Sequence, residues 1–206
     1  MTAKGDGIVA ANLQVKPRDF NTGQYKIKTT VSGEVPLHED LYTTLSKGMG
    51  QRNTMPAWAY MRGDDREAVL AYIESLYPRF ATDESPQVIS FPVTAPPMTA
   101  ETIRLGKGWY DGIECGKCHG LSGHGDGPST AALRDEQGHK ITLPDLSKPW
   151  LFIGGNTRMD LFRTLKTGIT GSAMPSLDGI ITDEQIWELV DFLAHEFVQP
   201  GEQAPR

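Results

Sequence analysis

The sequence predicts an all-α chain built as two related helical domains in tandem. Three observations carry this. Apolar residues recur at helical spacing between capping signals, strand-like alternation is nearly absent, and blocks of sequence return at a fixed offset of 120 residues. Gly5-Asp6-Gly7 returns as Gly125-Asp126-Gly127, and Ala11 and Leu13 return as Ala131 and Leu133. The run Asp40–Gly48 returns as Asp160–Gly168 with five of nine positions identical, and Met55-Pro56 returns as Met174-Pro175 at an offset of 119.

The elements follow in chain order. Residues 25–31 read as a short extended piece. Asp64 and Glu67 open a helix that turns Val69, Leu70, Ile73 and Leu76 inward and ends before Pro78. Residues 78–98 hold Pro78, Pro86, Pro92, Pro96 and Pro97 among Ser, Thr and Asp, the composition of an extended linker that lets its flanking domains reorient. The linker divides the chain into residues 1–77 and 99–206. Ile103, Trp109, Tyr110 and Ile113 mark a helix within 99–118. Thr157 and Asp160 resemble a capping signal for a helix near 158–168 that stops at Gly168. Thr182 and Gln185 form a capping box for the last helix, whose inner face is Ile186, Leu189, Val190, Leu193 and Phe197.

Composition excludes some partners. A net charge of −6 argues against nucleic acid and leaves room for a basic protein partner. No run of about 18 apolar residues is present to span a bilayer. The first residues, Met1 to Gly7, contain no apolar segment of a secretion signal.

The thiol chemistry lies in one turn. The two cysteines, Cys115 and Cys118, belong to Cys115-Gly116-Lys117-Cys118-His119, the C-x-x-C-H haem-attachment pattern. Two thiols three positions apart on a helix lie on one side of it, about one turn apart. They can add to the two vinyl groups on one porphyrin edge, and His119 then offers an imidazole nitrogen to the iron. The other His119 nitrogen calls for a hydrogen-bond acceptor, and the Pro128 carbonyl is placed to serve. A zinc site would need two more ligands, and His124 and His139 fit no finger spacing. A thioredoxin-like reading lacks its βαβ context.

Met174 is the candidate for the sixth iron ligand. It lies 55 residues after His119, in the loop Gly171-Ser172-Ala173-Met174-Pro175, where the following proline favours extended backbone. The alternative is a methionine that fills an apolar gap. His124, His139 and His195 are weaker competitors. Trp150, Leu151, Phe152, Leu165 and Leu177 lie between the two ligands and are expected to line the haem pocket, although each could be ordinary core.

On these residues, 99–206 resembles a class I cytochrome c domain. The matching features are the C-x-x-C-H at 115–119, Gly-Asp-Gly-Pro at 125–128 and Met-Pro at 174–175. To these is added a first helix with Gly106 and Tyr110 that would cross a last helix carrying Trp187 and Phe192. The whole chain resembles bacterial tandem dihaem cytochromes c. The resemblance implies helices wrapped around haem, with one haem edge near the surface for electron exchange.

The first domain departs from that pattern. Subtracting the offset places its C-x-x-C-H at positions −5 to −1, just ahead of Met1. The expectation is a truncated copy of the fold. Its haem motif and a signal peptide would lie upstream, because Thr54-Met55-Pro56-Ala57-Trp58 keeps a ligand-loop pattern. The alternative is a haemless scaffold domain. Met55 is then a ligand only with an upstream motif, and a second haem belongs to a longer native chain.

The implied function is electron transfer, not catalysis, through one haem c in this chain with His119/Met174 ligation. The partners are periplasmic redox proteins, met transiently or in a complex. Two alternatives stand beside it. One is a haem subunit docked on a larger oxidoreductase. The other is a haem enzyme or gas-binding protein with an open iron, for which Arg158 and Arg163 are the nearest basic residues.

Overall fold

Helices supply the regular structure, as the periodicity predicts. The structure, a computed structural model, describes residues 2–13, 15–50, 55–82 and 86–198. In chain order these hold α1 (His38–Lys47), α2 (Gly63–Ser75), α3 (Arg79–Thr82), α4 (Ala100–Gly112), α5 (Gly116–His119), α6 (Arg158–Thr167) and α7 (Asp183–Leu193). The chain runs on from α7 as a wider π turn over Ala194–Val198. Among the described residues there is no β-strand. The extended piece expected at residues 25–31 contributes an isolated antiparallel bridge between Thr30 and Val88.

Capping explains where the helices of the second half begin. Thr99, Thr157 and Thr182 each accept from the backbone N–H three residues on, and the side chains of Thr102, Asp160 and Gln185 reach back to the capping residue. Each box satisfies two N–H groups that the helix itself leaves free. α2 differs from expectation. It begins at Gly63 with no side-chain cap, so Asp64 lies inside its first turn, where its charge still favours the helix dipole. Glu67 pairs with His38 Nε2 at 2.8 Å.

The main core lies between α4, α6 and α7. Ile186, Leu189 and Val190 are fully enclosed, each worth roughly 1.5–3 kcal/mol of hydrophobic stabilisation. Phe162 stacks on Trp187 with ring centroids 4.4 Å apart. α4 crosses α7 at Gly106, where an added Cβ would fall 1.9 Å from the Glu188 carbonyl oxygen and 2.8 Å from Phe192 Cβ. Glycine therefore sets the closeness of this crossing. Trp109 Nε1 donates to Glu188 Oε2 at 2.7 Å and fixes its register.

Several elements of the first half recur in the second at the same offset. The 3-10 turn Ala10–Asn12 and helix α1 lie 120 residues before the turn Thr130–Ala132 and α6, and α2 begins 120 before α7. Gly48 and Gly168 end their helices with matching backbone angles, φ 70° ψ −166° and φ 67° ψ −167°. The loops that follow close alike: Met49 N–H donates to the Met55 carbonyl at 3.2 Å, and Ile169 N–H to the Met174 carbonyl at 3.1 Å. Among the described residues the first half holds no counterpart of α4 or α5. Ala68 and Tyr72 on α2, which match Glu188 and Phe192 at the α4 crossing, are exposed. The core of this half is correspondingly small, centred on Tyr25, Leu41, Leu45 and Leu70.

The proline-rich segment is not a free linker. α3 forms within it, Ile89 is buried, and Val31 and Ile89 N–H groups donate to the Gln87 and Thr29 carbonyls. Further on, Phe91 packs edge-on against Phe162, Lys166 Nζ donates to the Ser90 carbonyl and Arg158 Nη1 to the Pro96 carbonyl. Proline removes donors but leaves carbonyls, and the segment's carbonyls take up two cations of the second half, the buried Lys166 and the partly buried Arg158. The segment is thus a strap bonded to both halves, which opposes the free reorientation that its composition suggests.

Candidate functional site

The site is built around α5. Cys115 N–H donates to the Tyr110 carbonyl, so the thiol turn grows out of the end of α4. Between them Glu114 takes φ 62°, a left-handed conformation uncommon for a non-glycine residue. That single residue breaks α4 and starts the short helix that carries both thiols. Glu114 also pairs with Lys117 at 2.7 Å.

A loop then clasps the carbonyl end of α5. Ser129 N–H donates to Lys117 O, Gly127 N–H to Cys118 O and Gly125 N–H to His119 O, at 2.9, 3.2 and 2.8 Å. Thr130 Oγ1 adds a bond to Cys118 O at 2.9 Å, and Tyr110 Oη reaches Gly120 O at 2.6 Å. The last carbonyls of a helix have no partner within it, and here each has one. A Cβ at Gly127 would fall 2.4 Å from Lys117 O, so this approach needs glycine. The Gly-Asp-Gly-Pro motif therefore holds the thiol turn in shape. Its clasping role leaves no mark in sequence beyond the glycine spacing.

The donor chemistry fits a haem. Cys115 and Cys118 are free thiols, both partly buried. Burial pushes the Cys115 thiol up to about 11, so it rests as a neutral thiol. Burial also lowers the His119 pKa and keeps its imidazole neutral, the form that donates a lone pair to a metal. His119 Nδ1 is buried and has no hydrogen-bond partner. The bond expected from it to the Pro128 carbonyl is therefore not formed. Pro128 is exposed, and its loop is bonded to α5 through the N–H groups on either side of it.

The structure places the other sequence-predicted residues unevenly. Cys115 and Met174 both pack against the core cluster of α4, α6 and α7. Met174 N–H donates to Ser172 Oγ at 3.2 Å, and Leu177 N–H to Leu165 O at 3.0 Å, which folds the methionine loop back over α6. Leu165 and Leu177 are buried in that core. Phe152 packs against the same core as Cys115 and Met174, and with Trp150 it also lines a cleft of about 260 Å³ between the two halves, with Thr43, Thr44 and Lys47 of α1 opposite. Met55 packs on the smaller core of the first half, and Thr54 lies outside the described residues. His124 and His139 are held by Asp145 and Asp135, and His195 is exposed beside Glu196. Arg158 and Arg163 are engaged by Asp191 and Asp160.

The chain is similar to known proteins over its second half and over nearly its whole length. The family model of cytochrome c matches residues 103–196. A chain of the Kuenenia stuttgartiensis reducing HAO-like protein complex Kustc0457/Kustc0458 superposes with a TM-score of 0.88 at 33% sequence identity, over 94% of this chain and 87% of that one. No curated protein sequence matches the chain.

Proposed function

The chain belongs to the cytochrome c family, and on that premise we propose that it carries electrons through a haem c joined to Cys115 and Cys118, with His119 and Met174 as the axial ligands. Family membership implies the covalent c-type haem and supports haem-based electron transfer. The observation that supports the finer reading is the place of His119 at the end of the thiol turn, with its Nδ1 enclosed, on a domain whose core also packs Met174. When bound, the haem supplies a one-electron couple, and a thioether ligand raises its potential. The protein's own part is to hold and tune. The glycine clasp fixes the thiol turn, Tyr110 anchors its end, and the bonds of residues 165–177 hold the methionine loop.

Were His119 and Met174 both to hold the iron, no position would be left on it for a substrate, which would favour electron exchange with protein partners over catalysis. The chain is read as periplasmic, where haem c is attached. Among the described residues no helix is long and apolar enough to cross a membrane. The test is the Met174→Ala variant. Its midpoint potential should fall and its ferrous iron should bind carbon monoxide. An unchanged spectrum and potential would show that another residue is the ligand.

A second reading is favoured by the solved neighbour, a member of a protein complex. In it this chain is the haem subunit of a larger oxidoreductase and passes electrons to or from that enzyme's active site. Size-exclusion chromatography of the native protein separates the readings, since a subunit elutes with its enzyme and a free carrier alone.

A further inference from the structure

We propose that Arg18 and Lys26 of the first half bind the haem carboxylates of the second half, so that the seam between the halves anchors the cofactor and raises its potential. This rests on the reading of residues 115–119 as the haem site.

Both cations are drawn into the seam. The Arg18 guanidinium lies against the loop that leads to Met174: a Cβ at Gly171 would be 3.3 Å from its Nη1 and 3.8 Å from its Nη2. Nη1 donates to the Gln24 carbonyl at 2.6 Å, which fixes the fork in that position. Lys26 lines a cavity of about 10 Å³ shared with Arg163, Thr167, Gly168 and Ile169 at the end of α6. The two positive side chains of the first half therefore reach the elements that present Met174.

An anion is what this seam lacks. Among the described residues neither Arg18 nor Lys26 forms an ion pair with a carboxylate. The acids whose field they feel are Asp135 and Glu136. Asp135 already accepts from the Gln137 and His139 N–H groups and from the His139 ring, and Glu136 is exposed. Burial lowers the pKa of both cations, and Arg18 depresses Lys26 further. Two like charges in a low-dielectric seam are costly unless an opposite charge joins them. Haem brings two carboxylates, carried on ring positions other than those of the vinyl groups that Cys115 and Cys118 consume. Arg presents a planar fork to a carboxylate and Lys a point charge, which suits two such groups.

The test uses the full-length protein with its haem attached, verified by intact mass; absence of haem would defeat the reading of the site itself, not this proposal alone. Midpoint potentials are measured by spectroelectrochemistry for Arg18→Gln, Lys26→Gln, their double variant, Arg18→Lys, Lys26→Arg and the exposed control Lys107→Gln. A nearby positive charge disfavours the ferric state, so its loss lowers the potential. At fixed ambient potential the reduced-to-oxidised ratio should fall several-fold in each Gln variant and further in the double, while the charge-conserving and control variants match wild type. A double variant with the wild-type potential would overturn the proposal, as would an equal fall in Arg18→Lys and Lys26→Arg. Should the double variant not fold, the resonance Raman band of the haem carboxylates decides on the single variants. A shifted band supports the proposal, and an unshifted one overturns it.

Discussion

Replacing Gly106 by alanine tests how closely α4 and α7 must cross. The new Cβ would fall 1.9 Å from the Glu188 carbonyl oxygen and 2.5 Å from its carbon, whereas real Cβ contacts stay at or beyond 3.0 Å. The offending atoms are helix backbone and cannot rotate away, so the helices must part by about 1.1 Å. A gap of that size forfeits roughly a quarter to a half of the dispersion attraction across the crossing. Overpacking of this kind costs about 1–3 kcal/mol, and the rigid obstacle puts Gly106 at the upper end. Alanine returns about 1 kcal/mol of helix propensity. The net loss is about 2 kcal/mol, which for a domain of roughly 100 residues lowers the melting temperature by about 8–16 °C. Thermal unfolding of the haem-loaded protein, followed by far-ultraviolet circular dichroism and Soret absorbance, reads it directly. A melting temperature equal to or above wild type would refute the close crossing.

Three further outcomes are expected. Asp191→Ala removes a buried carboxylate that accepts from Thr102 at 2.6 Å and pairs with Arg158, leaving that cation without its partner; urea unfolding should show a loss of roughly 3–5 kcal/mol, and a loss under about 1 would mean the pair is not formed. The His38 pKa is raised, first by its hydrogen bond to Glu74 and then by Glu67, so its contribution is fully present below the unfolded value of 6.5 and disappears as pH rises through the folded one. Stability measured from pH 5.5 to 8.5 should thus decline more in wild type than in His38→Gln, and parallel curves would remove His38 from the account. Intact mass of the native protein under denaturing conditions should show one thioether-linked haem on this chain; a longer chain with two haems would make Met55 a ligand, and none would overturn the central assignment.

Much of this is legible in the residues because it is local or covalent. Two thiols and an imidazole at C-x-x-C-H spacing specify their chemistry without any fold. Thr157 and Thr182 are not merely polar residues before apolar runs: each is a cap whose partner, Asp160 or Gln185, lies three positions away, whereas the matching box of Thr99 with Thr102 emerged only in the structure. The repeat is visible for the same reason, since a fixed offset keeps matching turns, from Gly48 to Gly168, in register.

What only the tertiary structure decided involves backbone atoms and distant partners. The proline-rich segment looks like a spacer because its side chains are poor in signal, yet its carbonyls at Ser90 and Pro96 hold Lys166 and Arg158. Pro128 lies beside the thiol turn, but the bonds to the carbonyl end of α5 are made by the N–H groups of Gly127 and Ser129, a donor that proline lacks. Trp150 and Phe152 fall between His119 and Met174 in sequence; in space both line the cleft between the halves, and Phe152 also packs on the core that holds Met174. Sequence by itself carried the haem-attachment pattern at Cys115, Cys118 and His119 and determined the helical repeat around it, because residue spacing and helix capping act over a few bonds. The fold decided which surfaces meet, because packing distances such as that between Gly106 and Glu188, and charges brought together across a seam, exist only after the chain has closed on itself.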